Sequence, residues 1–462
     1  MRIPRRQPAR FALLWIAFHA LSALSSLGQT ESPPTIPPEH SLSVNQLVER
    51  ALDRNGEIRA ASQRDLEARA LVRQAGLRPN PSIDFSAGVG DATGSAGERE
   101  FSIEYSHTIE LGGKRKRRVA VAESNSMLAA SELRDSERNL AADVRLGSAV
   151  ALAARQKLQN VEELQRLLRR NLELAQARAE AGETAPLEQN LLHVELNRID
   201  AERILRSGQL EQALLLVKRL ADIPLHENLR LSDSLEPEAV SPDISAILDQ
   251  AADVAGGAEV ALLRRPDLNA FEAKVKIADA ALTLETSRKI PDLVVRGGYT
   301  HTQSRFDQFG FATPGGALVP LRDKDNILFG GVSIAIPLSD RNQGNIAAAA
   351  NRGRAASYEY NAMRQTVRQE VLTAWSRAHS TRQALQVFKT GVLELSQENL
   401  RVIRAAYELG ELRLLDVIAE QRRLLEIENE HVDLMKEAYV AMIELERAIG
   451  APLEMAKDSS HD

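Results

Sequence analysis

The chain has 462 residues, of which 26% are charged and 4% aromatic, and a formal net charge of -6. That mild negative balance argues against a nucleic-acid partner held through its phosphates. The chain has no cysteine, which excludes disulfides, thiolate metal ligands, cysteine nucleophiles and a lipidated N-terminal cysteine.

Residues 1–28 read as a secretory signal peptide. Basic "MRIPRRQPAR" precedes a 17-residue apolar stretch from Phe11 to Leu27, and cleavage is expected near Gly28 or Gln29. An uncleaved anchor helix is the competing reading. Proline-rich 29–41 suits a flexible mature N-terminus. No later run approaches the 18 apolar residues of a transmembrane helix.

The rest is built twice on one plan. Ala51, Leu52, Arg54 and Ala60 recur 210 positions on as Ala261, Leu262, Arg264 and Ala270. Further along, Leu167, Asn171, Leu172 and Ala177 recur 228 positions on as Leu395, Asn399, Leu400 and Ala405. The offset grows by 18, placed in a longer Gly/Pro-bearing loop between Tyr299 and Ile327. This sets a first repeat at 42–224, a linker at 225–258, a second repeat at 259–452 and a tail at 453–462.

Each repeat reads as helix, two strands, a very long helix, a tight turn and a last helix. Breaks at "RPNP" and "KIP" end the first helices. In "SIDFSAGV", Ile83, Phe85, Ala87 and Val89 share one face. In "FSIEYSHTIEL", Phe101, Ile103, Tyr105, His107 and Ile109 alternate with Ser102, Glu104, Ser106 and Thr108. In the second repeat "DLVVRGGYT" and "NILFGGVSIAIPL" are the counterparts, with Val332, Ile334 and Ile336 on one face. Such strands of about nine residues cross a bilayer when tilted. Lys114–Glu180 and Arg341–Glu408 then run 67 and 68 residues without proline, each roughly 100 Å as a helix. Leu164, Leu167, Asn171 and Leu174, and Val392, Leu395, Asn399, Val402 and Ala406, follow the three-four spacing of a coiled-coil seam.

The fold class is therefore mainly α with a small β part. Four strands cannot close a membrane barrel, whose smallest form has about eight, and open edges are not tolerated in lipid. If the hairpins enter a membrane, chains must pool them, and three chains would give twelve strands.

"RRPDL" (Arg264–Leu268), "IPLSDRNQGNI" (Ile336–Ile346), "YELGELRLLDVIAEQ" from Tyr407 and "IELGGKRKRRVA" (Ile109–Ala120) carry a resemblance to TolC-type outer membrane efflux proteins. It spans about residues 42–452, and the last motif is similar to the heavy-metal, CzcC-like branch. The resemblance implies a homotrimer in the outer membrane of a Gram-negative bacterium, with a twelve-stranded barrel and a helical periplasmic tunnel. It implies a periplasmic adaptor and an inner-membrane pump of the resistance-nodulation-division type as partners, outer membrane lipid around the barrel, and no enzymatic step or cofactor. Heavy-metal cations are the cargo that the branch suggests.

The resemblance also assigns roles at the two helix-turn-helix tips, where glycine supplies the left-handed backbone that ends a helix. Gly182, Glu183, Pro186 and Leu187 at one tip, and Tyr407, Gly410, Glu411, Leu414 and Leu415 at the other, would dock the adaptor. Glu188 and Asp416, six residues past each glycine, would line the pore entrance. Leu191 and Ala419 replace the family's second acids, and Leu412 replaces the usual arginine partner of Tyr407.

Two features remain. "GKRKRR" (Gly113–Arg118) reads as a solvated helix start or a contact for lipid headgroups. The nine histidines form no ligand-spaced cluster. The competing function is a structural coiled-coil envelope protein without a pore.

Overall fold

The computed structural model describes residues 40–90, 94–95, 97–180, 186–235, 254–311 and 314–450. The signal-peptide reading, the C-terminal tail, Gly182 and Glu183 lie outside them. Each repeat starts with two helices rather than the single one expected. α1 (Val44–Arg54) and α2 (Gly56–Ala75) are separated at Asn55, and α5 (Val254–Arg264) and α6 (Pro266–Ser287) at Arg265. Arg265 precedes Pro266 and takes extended backbone, φ -69 and ψ 122, because the proline ring disfavours helix at the residue before it. Asn55 takes φ -59 and ψ 130, and its side chain accepts the Glu57 N–H as an N-cap.

α3 (Lys114–Glu180) is one helix of 67 residues, followed by α4 (Pro186–Leu220) with proline at its first position, where no intrahelical N–H is needed. Its counterpart in the second repeat is not the continuous helix expected. α7 (Gln343–Phe388) passes through a π turn at Lys389–Leu393 into α8 (Glu394–Glu408), and α9 (Leu414–Ile449) returns. One extra residue enters the ladder in such a turn. It accounts for eight positions between the exposed Val387 and Leu395, before the seven-residue spacing of Leu395, Val402 and Leu409 resumes.

Four strands form an antiparallel sheet in the order β2-β3-β5-β6: β2 (Ser82–Val89), β3 (Arg99–Ile109), β5 (Leu293–Phe311) and β6 (Leu318–Ile334). β5 and β6 have 19 and 17 residues, so the insertion expected as a loop is largely strand. Alternation such as Thr300, His301, Thr302 and Gln303 opposite Ile327, Asn326, Asp325 and Lys324 continues the ladder; polar residues there concealed its length. Ile336 lies beyond β6, which ends at Ile334, because Pro337 has no N–H for the ladder and constrains the residue before it. Two short strands were not expected. β1 (His40–Leu42) and β4 (Leu229–Leu231) pair in parallel, one from the proline-rich segment and one from the expected linker.

Beneath the sheet the helices pack laterally as α2, α3, α6 and α7. Farther from the sheet the packing order is α4, α3, α9 and then α7–α8. One core joins α1, β1 and β4 to the middle of α3 around Leu47, Val144, Leu152 and Val217. A second joins α5 to α7 and α9 around Ala261, Val371 and Leu445. A third holds the tips around Leu164, Leu168, Leu192 and Leu414.

Candidate channel entrance and membrane sheet

The sheet sorts its residues by chemistry. Ile83 opposes Tyr105, Phe85 opposes Ile103 and Ala87 opposes Phe101. The same face continues through Leu293 opposite Ile334 and Val295 opposite Val332. Ser82–Ser106 and Ser86–Ser102 hydroxyl pairs, each 2.8 Å apart, occupy the other face with Asp84 and Glu104. Arg296 approaches Glu104 there at 4.0 Å. Within one chain the apolar face is uncovered, with Phe85 68% and Val332 63% exposed. A contiguous apolar patch of this kind marks a membrane or protein contact, and a polar opposite face suits a lumen.

The second tip is a Schellman turn. Gly410, at φ +80, donates to Tyr407 O at 2.9 Å, and Glu411 N donates to Ala406 O at 3.0 Å, satisfying carbonyls that the helix end leaves open. Leu414 is buried in the tip core, whereas Leu187, Leu409 and Leu415 are exposed. Tyr407 packs against that core and borders a cleft of about 300 Å3 with Glu188, Arg178 and Arg404. Glu188 is half-buried there. Asp416 is exposed, outside that cleft, and accepts the Arg413 N–H at 3.0 Å. The two acids therefore occupy different surroundings within one chain, although both begin a helix.

Three polar joints escaped the sequence reading. Buried Glu195 on α4 takes a two-pronged hydrogen bond from Arg422 on α9, the Nε contact at 2.5 Å. In "RRPDL", buried Arg265 grips Asp267 through both oxygens, at 3.0 and 2.6 Å, and reaches Glu370 on α7 at 2.5 Å. Burial alone would raise the Asp267 pKa, but hydrogen bonding and charge from Arg265, with Arg138 behind it, hold it below the usual carboxylate range. Arg265 also donates to Ala448 O at 3.3 Å. Its repeat equivalent Asn55 donates to Leu220 O at 3.2 Å, the equivalent carbonyl of α4. The same joint is made with unlike side chains, which hid it from letter matching.

The third joint is the basic run. Arg118 donates to Ala75 O and Leu77 O, and Arg115 to Gly76 O, all at the end of α2. Arg117 donates to Thr283 O of α6 at 2.7 Å, and Lys114 pairs with Asp292 at 2.7 Å. Cations at helix C-termini are favoured by the dipole and by the open carbonyls. Most of the run is therefore a clamp between helices and sheet, not a free solvated start. Asn342, at φ +61, takes the equivalent place after β6 and donates to Glu285 O at 2.8 Å.

A two-faced sheet carried on helical hairpins of such length defines a membrane channel class. The model of outer membrane efflux proteins matches residues 47–221 and again 258–451, and the chain belongs to that family. It is similar to the cobalt-zinc-cadmium resistance protein CzcC of Cupriavidus metallidurans, 24% identical over 96% of this chain and 98% of that one. The cation efflux system protein CusC of Escherichia coli O157:H7 is 25% identical over 88% of this chain and 85% of its own. Among solved structures, CusC superposes with a TM-score of 0.67 at 20% identity, covering 92% of this chain and 95% of that chain. The open-state MtrE channel of Neisseria gonorrhoeae superposes with a TM-score of 0.65 at 17% identity, over 88% of each chain. The chain is thus an outer membrane efflux channel protein of a family without enzymatic activity.

Proposed function

We propose that the chain assembles as a homotrimer in which the sheets close into one twelve-stranded barrel and the helices into one tunnel. The observation that carries this is the shared lateral order of the two layers. The sheet runs from β2 to β6, and the helices beneath it run from α2 to α7. Both layers therefore present matching open edges. Lipid does not tolerate an unpaired strand edge, and three copies of four strands convert every edge into an interface. Near the tips, exposed Leu187 and Val194 on α4, and exposed Leu395 and Val402 on α8 with Leu409 just past its end, keep heptad spacing, as seams for neighbouring copies.

In this assembly the chain is the outer membrane conduit of a tripartite system. A periplasmic adaptor and an inner-membrane pump of the resistance-nodulation-division type deliver solute, which passes without a chemical step. The three metals named in the cobalt-zinc-cadmium resistance relative, and the cation efflux named in the CusC relative, support heavy-metal cations as cargo. The adaptor docks at the tips, around Gly182, Glu183, Pro186 and Leu187 and around Tyr407, Gly410, Glu411, Leu414 and Leu415. Exposed Leu187, Leu409 and Leu415 supply apolar contact there, and Glu188 and Asp416 supply charge at the entrance. The organisation that fits is a signal peptide at 1–28, a mature N-terminus at 29–41, repeats at 42–224 and 259–452, and a linker at 225–258.

The test is the mass of the detergent-extracted complex together with its conductance in planar bilayers. A trimer that conducts is expected. A stable monomer would overturn the barrel, since its sheet edges would face lipid unpaired.

A further inference from the structure

Where β3 meets α3, a cleft of about 420 Å3 opens at the helical end of the sheet, lined by Arg78, Pro79, His107, Ile109, Glu110 and Arg115 among others. Two of its groups, Arg78 and Arg115, have donor capacity to spare. Arg78 is exposed, with no side-chain hydrogen bond or ion pair among the described residues. Arg115 uses its Nε on Gly76 O at 2.5 Å, which leaves its terminal nitrogens available. His107 adds an imidazole to the wall of the cleft. Glu110, the acid in the cleft, is already neutralised. Arg118 holds both its oxygens, at 2.6 and 3.1 Å. The cleft therefore keeps a positive balance and converging donors, a combination that suits a phosphate oxygen cluster.

Its position selects the source of that phosphate. His107 shares the apolar face with Tyr105 and Ile109, both exposed, and that face continues up the sheet through Phe85 and Val332. A lipid whose headgroup sits between Arg78 and Arg115 can lay its acyl chains along these residues. A free phosphate would leave that surface unused. We propose that the cleft binds the phosphate of an anionic membrane lipid and fixes the height of the sheet in the bilayer. The inference rests on the reading that the apolar sheet face meets lipid. It goes beyond that reading in naming a headgroup site and its residues. Basic side chains at a membrane boundary attract anionic lipid in general; the concave cleft that gathers Arg78 and Arg115 beside the apolar face is what makes this a site and not only a charged belt.

The experiment uses the full chain, purified in detergent and stripped of lipid, with binding read by native mass spectrometry. The probes are phosphatidylglycerol, phosphatidylcholine and inorganic phosphate. We expect phosphatidylglycerol to bind more tightly than phosphatidylcholine. Arg78→Gln should weaken phosphatidylglycerol by about tenfold, the loss of one charge-assisted hydrogen bond. Arg64→Gln, in the neighbouring cleft, should leave binding unchanged, and the thermal midpoint of both variants should match the parent. Equal binding of the two lipids, or no effect of Arg78→Gln, would overturn the headgroup site. Retention of phosphatidylcholine in that case would still leave the sheet as a lipid-facing surface, so the two readings fail separately. Displacement of phosphatidylglycerol by millimolar inorganic phosphate would overturn the lipid as the source.

Discussion

Single residues decide what happens at the tips. Gly410 holds φ +80, a region that costs other residues about 1 kcal/mol or more, and its turn lets α9 fold back along α8. Asp416 shows how one acid can have two uses. Its carboxylate accepts the Arg413 N–H, a helix-start role that needs no pore, while its exposure leaves its charge unshielded at the proposed mouth. Asparagine keeps an accepting oxygen and removes the charge. Asp416→Asn should therefore change stability by less than about 1 kcal/mol while shifting permeation from cations towards anions. Glu188→Gln should shift permeation less, because Arg178 and Arg404 share its cleft. Single-channel reversal potentials in a salt gradient measure this. If the double variant has the selectivity of the parent, both acids are helix-start residues and nothing more.

At the scale of elements, the polar joints between helices set the response to acid. Asp267 is held below the ordinary carboxylate range once Arg265 and Arg138 outweigh its burial. A depressed folded pKa means that the stabilisation is complete above the unfolded value, about 3.9. It is then lost as pH falls through the lower folded value. We expect the thermal midpoint to hold above about pH 4 and to fall below it. Asp267→Asn should flatten that fall and lower stability at neutral pH by about 1–3 kcal/mol, since it leaves buried Arg265 with one acidic partner fewer. Melting curves from pH 3 to pH 7 (roughly the range over which carboxylates titrate) measure both. An unchanged acid slope in the variant would remove Asp267 from the account.

For the whole molecule the issue is where the open edges go. The parent chain lacks cysteine, so introduced pairs report without background. Ser86→Cys on β2, combined with single cysteines placed in turn from Leu328 to Ile334 on β6, should cross-link between copies at one register. Only Cβ atoms about 3.5–4.5 Å apart can form the bond. The expected product on a non-reducing gel is a ladder ending at three chains. A ladder that continues past three would mean an open filament, and no cross-link at any position would mean that β2 and β6 do not meet.

Much of this architecture was legible in the letters. The α3 boundaries followed from a proline-free run, and the faces of β2 and β3 from strict alternation, because both depend on local chemistry. The duplication also places α1 and α5, and α4 and α9, at their respective repeat offsets. Other features were decided only by the packed structure. The lengths of β5 and β6 depend on each strand supplying the other's hydrogen bonds, so polar residues such as Thr302 and Asp325 stay in the ladder. The π turn leaves only a one-residue slip in the apolar spacing, between Val387 and Leu395, and its place is set where α7 and α8 both pack on α9. The basic run, plain as charge in the sequence, acquired its role only when folding brought the open carbonyls at the end of α2, and Thr283 O in the last turns of α6, within reach of Arg115, Arg118 and Arg117. Sequence fixes what a side chain can donate, but the carbonyl that accepts lies tens of residues away and is positioned by tertiary packing alone.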